Sequence, residues 1–195
     1  MRILRAADYR TMPWKNGGGT TTEIIVSPDG AGLDDFDWRV SMARVEGSGP
    51  FSQFAGIDRT LAMLEGEGIV LDVAGSPSAT ITPATLPFSF PADVATAATL
   101  IGGPITDLNV MTRRGALAQS VERLVISTEV AIPAEMGTIL ILCLSGDVIV
   151  SGAELVRLGP LDALLDSPNI VDFHIQPTQE TTLFVIRIRN ISGND

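Results

Sequence analysis

The sequence has little lysine, histidine or cysteine, with one residue of each among 195. The one cysteine, Cys143, has no partner for an internal disulfide, and its apolar neighbours predict a buried, inert thiol. The one histidine, His174, cannot build a metal centre of several imidazoles, even with Asp172 beside it. It also leaves a Ser–His–Asp triad without a second candidate base. We therefore expect no metal, no cofactor and a hydrogen-bonded structural role for His174.

Positive charge is also scarce. The chain carries 13 basic and 23 acidic residues, a net charge of −10 and a pI near 4.5. No cluster of arginines interrupts this balance, which excludes nucleic acid and anionic membranes as natural partners. The amino terminus has no apolar secretory segment, and the longest apolar run, 138–144, is too short to span a bilayer. These features predict a soluble, cytoplasmic protein.

Helical periodicity is nearly absent, whereas short apolar runs are frequent. Twelve prolines and 19 glycines are spread along the chain, and runs such as 38–45 and 182–189 are rich in large or β-branched residues. Many short strands between turns predict an all-β sandwich or barrel. Segments 116–125 and 159–165 are expected to hold a helical turn or two, and 76–98 to form loops.

A faint repeat divides the chain. Residues 61–66 (LAMLEG) precede an apolar run at 69–71, and residues 141–146 (ILCLSG) precede one at 148–150, which places the two motifs 80 positions apart. The spacing fits one jelly roll per repeat, with a boundary near Gly115. We expect units at 1–115 and 116–195, with an N-terminal strand able to pair across them.

The one lysine, Lys15, lies in a glycine-rich run, residues 13–20 (PWKNGGGT). Three glycines permit close approach of backbone N–H groups to a ligand, and the neighbouring Asn16 adds a carboxamide. The same residues also fit a plain hairpin turn with a solvated ammonium. The pattern alone leaves both interpretations open.

Strand alternation places polar side chains together. In an extended 107–113 segment, one face holds the two polar residues Asp107 and Asn109 with Met111 and Arg113. In 38–43, Arg39 shares a face with Ser41. Such faces commonly look at water in half-exposed antiparallel strands, or they line a polar cavity.

Four blocks together resemble the signature of the HutD/Ves family: 13–20 (PWKNGGGT), 38–41 (WRVS), 49–52 (GPFS) leading to 56–59 (GIDR), and 107–115 (DLNVMTRRG). The resemblance implies a bicupin, meaning two jelly-roll (double-stranded β-helix) barrels in one chain, and an association with histidine utilisation. It implies no settled reaction. It favours the cavity interpretation, because the polar faces coincide with the signature blocks.

We therefore predict a metal-free binding site for a small anionic metabolite in the first unit, such as urocanate or formylglutamate, with Arg59 clamping a carboxylate. The alternatives are a metal-free enzyme using Lys15 with Glu23 or Asp107 for proton transfer, and an oligomerisation scaffold. A homodimer is plausible for a β protein with open edges. The predicted ligand-binding residues are Lys15, Asn16, Arg39, Ser41, Arg59, Asp107, Asn109, Met111 and Arg113.

Overall fold

The computed structural model describes residues 1–15 and 17–191 of the chain. Within these residues the regular structure is β apart from one three-residue 3-10 helix, Ala6–Asp8, so no helix there has the length and apolarity needed to cross a membrane. The all-β prediction is confirmed. The strands are β1 Arg2–Leu4, β2 Arg10–Pro13, β3 Gly19–Ser27, β4 Trp38–Val45, β5 Gly49–Pro50, β6 Ile57–Glu65, β7 Ile69–Val73, β8 Ala79–Ile81, β9 Phe88–Pro91, β10 Thr96–Leu100, β11 Ile105–Arg113, β12 Leu117–Ile126, β13 Val130–Ile132, β14 Thr138–Ser145, β15 Val148–Ser151, β16 Leu155–Leu158, β17 Ala163–Asp166, β18 Phe173–Pro177 and β19 Thr181–Asn190.

The chain forms two compact units. The first comprises Arg10–Ala118, and the second comprises Met1–Tyr9 with the chain from Gln119 onward. The sequence expectation set the boundary near Gly115 and allowed an N-terminal strand to pair across the units, and β1 pairs antiparallel with β17. The amino-terminal segment therefore groups with the second unit. A three-residue strand carries too little pattern to show which strand it pairs with.

The first unit contains two antiparallel sheets, ordered β2-β3-β4-β11-β6-β9 and β5-β10-β7-β8. Apolar side chains from both sheets form one core, because alternate residues of each strand point to the same face. Its buried members are Ala43, Val45, Leu61, Met63, Ile69, Leu71, Val73, Ile81, Phe90, Ala98 and Ile105. The face of the larger sheet that carries Ala43 and Leu61 is therefore the interior face of this unit.

The second unit repeats this plan, with sheets ordered β1-β17-β14-β19-β12 and β13-β18-β15-β16. Its core is apolar throughout and includes Cys143, which is fully buried as predicted. Burial raises the pKa of this thiol to about 11, which keeps it protonated at neutral pH.

The sequence repeat reflects two equivalent pairs of strands, β6 with β11 and β14 with β19. In the first unit Glu65 pairs with Thr106, a bulge follows, and Met63 then pairs with Asp107. In the second unit Ser145 pairs with Thr182, a bulge occurs at the same step, and Cys143 then pairs with Leu183. β6 thus corresponds to β14 at an offset of 80, and β11 corresponds to β19 at an offset of 76.

Two local predictions were wrong. Residues 117–125 lie in β12, and segment 159–165 leads into β17, because pairing with neighbouring strands outweighs weak helical propensity. Segment 76–98 is more ordered than expected, since it contains β8, β9 and the start of β10.

Candidate functional site

The glycine-rich run closes the hairpin between β2 and β3. The Trp14 N–H donates to the Gly19 carbonyl at 2.9 Å, and the indole N–H donates to the Thr21 hydroxyl at 2.7 Å. A Cβ at Gly19 would lie 2.1 Å from the Arg44 carbonyl, so only glycine fits there. Lys15 is exposed on this turn and forms no ion pair with residues 1–15 or 17–191. The local geometry of Lys15 therefore matches a plain hairpin turn with a solvent-exposed ammonium.

Arg39 on β4 lies on the interior face and is almost completely buried. Its Nε donates to the Glu23 carboxylate on β3 at 2.7 Å. This bond compensates the charge of Arg39, so the pair contributes no net charge to the interior. Sequence reasoning did not place Glu23 here, because a bulge between Glu23 and Ile25 shifts the register that simple alternation assumes.

Arg59 on β6 is 6% exposed and surrounded by aromatic rings. Its guanidinium carbon lies 5.3 Å from the ring centres of Phe51 and Phe54 and 5.8 Å from that of Phe90. Its hydrogen bond within the described residues is a long one, 3.4 Å from Nη2 to the Ser52 carbonyl, and its buried Nε has no partner among them. Burial lowers the pKa of Arg59 to about 10, with Asp107 raising it and Arg39 lowering it.

Asp107 on β11 is 1% exposed. One carboxylate oxygen accepts a short hydrogen bond from the Asn109 amide. Burial raises the pKa of Asp107 to about 7, although the Arg59 charge and the Asn109 bond act in the opposite direction. Asp107 and Arg59 thus interact electrostatically, yet no hydrogen bond joins them.

These residues form a polar layer, defined as Glu23, Arg39, Ser41, Arg59, Asp107 and Asn109. In the cross-strand register, Ser41 pairs with both Glu23 and Asn109, and Met111 pairs with both Arg39 and Arg59. On β11, Asp107 and Asn109 lie between Ile105 of the main core and Met111 of a second apolar cluster. The polar faces predicted from alternation therefore point into the first unit and not to water.

The positions of the second unit that are equivalent to Arg59, Asp107 and Asn109 are apolar. The register matches Arg59 with Ile139, Asp107 with Leu183 and Asn109 with Val185. All three counterparts are buried in an apolar core. The same strand pair thus folds without any of these polar groups.

Two predicted site residues, Arg113 and Lys15, lie away from the polar layer, and Met111 adjoins it. Met111 pairs with both Arg39 and Arg59, and its side chain belongs to the second apolar cluster with Phe36 and Ile57. Arg113 is partly exposed, where its Nη2 donates to the Phe36 carbonyl at 2.5 Å and its Nε lies 3.6 Å from Asp37. Lys15 stands on the exposed turn, and Asn16 lies outside the described residues.

The aromatic rings around Arg59 were also missed from the sequence. Phe51 lies in the GPFS block, and Phe54 follows it closely, but neither has strand periodicity that would aim it inward. The available signal was proximity in sequence between these rings and the GIDR block that contains Arg59. Phe90, the third ring near Arg59, lies on β9. This strand pairs with β6, and Phe90 is directly opposite Arg59 in the register.

No group of three His, Cys, Asp or Glu side chains able to hold a metal occurs in residues 1–15 and 17–191. His174 is exposed, and its Nδ1 lies 3.2 Å from Glu129. The donor set of the polar layer, two guanidiniums with amide and hydroxyl groups, is suited to anionic oxygens.

Two curated relatives share part of the sequence. A protein from Pseudomonas putida, described only as an uncharacterized protein in the hutC 3' region, is 46% identical over 111 residues. Protein Ves from Citrobacter koseri is 40% identical over 111 residues. The matches cover 57% and 55% of this chain, and 57% and 56% of the relatives, so each spans little more than half of the relative's length.

Solved structures match over nearly the whole chain. A conserved protein of unknown function from Pseudomonas aeruginosa PAO1 has a TM-score of 0.90 at 32% identity, covering 96% of this chain and 97% of its own. HutD from Pseudomonas fluorescens SBW25, in a formate condition, has a TM-score of 0.82 at 32% identity, covering 98% and 99%.

A cupin 2 conserved barrel protein from Leptotrichia buccalis has a TM-score of 0.57 at 9% identity, covering 95% and 91%, which shows a cupin-like fold alone. The HutD family model matches residues 6–183, most of the chain and all of the polar layer. The chain therefore belongs to the HutD family.

Proposed function

We propose that the protein is a metal-free binding protein for a small carboxylate metabolite, which occupies the polar layer of the first unit. The observation that carries this proposal is Arg59, a buried guanidinium whose Nε has no partner within residues 1–15 and 17–191. Leaving a buried donor unsatisfied is costly, and a carboxylate is the natural acceptor for it. The apolar counterparts in the second unit support a ligand role, since the fold does not require these polar groups.

Family membership supports a link to histidine utilisation, because the names of relatives refer to hut genes. Urocanate and formylglutamate are carboxylates of histidine breakdown and are therefore the candidate ligands. A protein that binds either one in the cytoplasm, with no reaction, would sense or buffer that intermediate.

Titration calorimetry with urocanate and with N-formyl-L-glutamate tests the proposal. We expect one of the two carboxylates to bind at one site per chain. In Arg59→Lys we expect a loss of binding free energy of roughly 2–5 kcal/mol, because an ammonium cannot replace the planar set of N–H donors of a guanidinium. Arg44→Lys, at an exposed position of β4, is the matched control and should bind like the wild type. Failure of both carboxylates to bind would contradict the proposal.

The second candidate is a metal-free enzyme, with Asp107 as the group favoured by the structure. A carboxyl whose pKa is near 7 is suited to general acid–base catalysis. Lys15 is less well placed for its proposed role as base, since it is exposed while Asp107 is buried. Incubation of the protein with each carboxylate, followed by mass analysis of that carboxylate, distinguishes an enzyme from a binding protein. A scaffold with no ligand would give neither heat of binding nor a product.

A further inference from the structure

We propose that the site binds a carboxylate together with one proton, and that Asp107 is the group that holds this proton. The inference rests on the proposed function and adds the charge state of the complex. It assigns Asp107 as a residue that determines which anions enter the site.

The polar layer contains four charged side chains. Glu23 and Arg39 compensate each other through a 2.7 Å bond. Asp107 and Arg59 are the other charged members, and both are almost completely buried. When Asp107 is ionised the layer is neutral, so an entering carboxylate would add an uncompensated negative charge to an interior of low polarity. When Asp107 is protonated, the layer carries one positive charge, and one carboxylate neutralises it.

Geometry agrees with this charge count. The Nε of Arg59 has no hydrogen-bond partner in the described part of the chain. One oxygen of Asp107 accepts a hydrogen bond from the Asn109 amide, and Asp107 forms no hydrogen bond to Arg59. A ligand carboxylate between them would accept the Arg59 Nε–H through one oxygen. Its other oxygen would accept a hydrogen bond from a protonated Asp107, whereas an ionised Asp107 would repel it.

The surroundings, as far as the described residues extend, supply no other group to take this proton. The cross-strand partners of Asp107 are Ala43 on β4 and Met63 on β6. The charged residues on the same face of the neighbouring strands are Arg59, Arg39 and Glu23; Arg59 interacts electrostatically with Asp107, and Glu23 is already paired with Arg39. The remaining neighbours from the two sheets belong to the apolar core. The one histidine, His174, belongs to the second unit.

The sign of the pH dependence follows. The pKa of Asp107 is about 7 in the free protein, and a bound carboxylate raises it further. Below pH 7 the proton is already present, so affinity is constant. Above pH 7 binding must take a proton from solvent, and the dissociation constant rises by up to about tenfold per pH unit. Arg59 remains charged up to pH 9, since its pKa is about 10.

The test uses the full chain and two probes, formate and N-formyl-L-glutamate, whose carboxyls stay ionised from pH 6 to pH 9. We expect affinity for both to fall between pH 7 and pH 9. Calorimetry at pH 8 in two buffers of different ionisation enthalpy should give close to one proton taken up per ligand bound. Asp107→Asn should abolish the pH dependence and bind more tightly than the wild type at pH 9, whereas the exposed Glu65→Gln should retain the dependence.

The outcomes separate the two proposals. If neither formate nor N-formyl-L-glutamate binds at any pH, this inference is overturned; if urocanate also fails to bind, the proposed function is overturned as well. Binding that takes up no proton at pH 8 would overturn this inference alone, and that measurement needs no variant. A pH dependence that survives in a folded Asp107→Asn protein would also overturn it.

Discussion

At the scale of single residues, the proposed site depends on two buried ionisable groups, Arg59 and Asp107, whose pKa values differ from their usual values. Arg59 keeps its charge among three phenylalanine rings, whose faces attract a cation but cannot accept its Nε–H as a carbonyl would. Asp107 keeps a proton to near neutrality because burial disfavours its ionised form. Burying either group costs more free energy than burying an apolar side chain of similar size.

Asp107 should therefore impose a pH dependence on stability. Its raised pKa means that the folded state holds a proton that the unfolded state releases between about pH 4 and pH 7. The free energy of unfolding then falls with rising pH across this window, by up to about 1.4 kcal/mol per unit from this group, and levels off above it. In Asp107→Asn this component is absent. Urea unfolding of both proteins at pH 4.5, 6 and 8 measures the difference, and a difference that does not grow with pH would contradict the assignment.

Lys15 gives a contrasting prediction at the same scale. Because its side chain is exposed on the hairpin turn, Lys15→Ala should change the free energy of unfolding by less than about 0.5 kcal/mol. Binding of either carboxylate should also be nearly unchanged. Thermal unfolding and calorimetry provide both values. A large loss of affinity would show that the turn closes over the ligand and would revive the role expected from the sequence.

At the scale of strands and turns, local pattern predicted much of the structure. β4 spans the run recognised at 38–45, and alternation correctly aimed Arg39, Ser41, Asp107 and Asn109 to one buried face. What pattern could not supply is pairing between distant segments. The sequence allowed an N-terminal strand to pair across the units but did not identify β17 as its partner. That partner, and the bulge that brings Glu23 opposite Ser41, depend on tertiary contacts that no short window contains.

The repeated turn after β6 offers a test of this element. Gly66 has φ +92°, and a Cβ there would lie 2.7 Å from the Ile105 side chain and 2.8 Å from the Pro104 carbonyl. Gly66→Ala should therefore destabilise the protein by about 1–3 kcal/mol. Gly47→Ala, with open space around its Cβ, is the matched control. Equal melting temperatures for the two variants would contradict the strain argument.

At the scale of the whole molecule, the two units of the chain can be compared position by position. Two units share a strand register and a bulge, yet at these matched positions the first has charged groups where the second has apolar ones. A fold that can be completed with isoleucine, leucine and valine at these positions does not need arginine, aspartate and asparagine for stability. This contrast supports the proposal that the polar layer binds a ligand.

The triple variant Arg59→Ile, Asp107→Leu, Asn109→Val gives the first unit the side chains of the second. Replacing buried charges by apolar residues of suitable size is often neutral or stabilising, so we expect a folded protein with a free energy of unfolding within about 2 kcal/mol of the wild type or above it. Circular dichroism and urea unfolding measure this. Loss of the native fold would indicate that the polar layer also holds the first unit together.

The most direct measurement of the central claim is calorimetric titration of the wild type and Arg59→Lys with urocanate and N-formyl-L-glutamate at pH 6.5. The account predicts saturable binding of one carboxylate per wild-type chain and a loss of roughly 2–5 kcal/mol in the variant. Equal affinity in both proteins, with each shown to be folded, would contradict the placement of the ligand at Arg59.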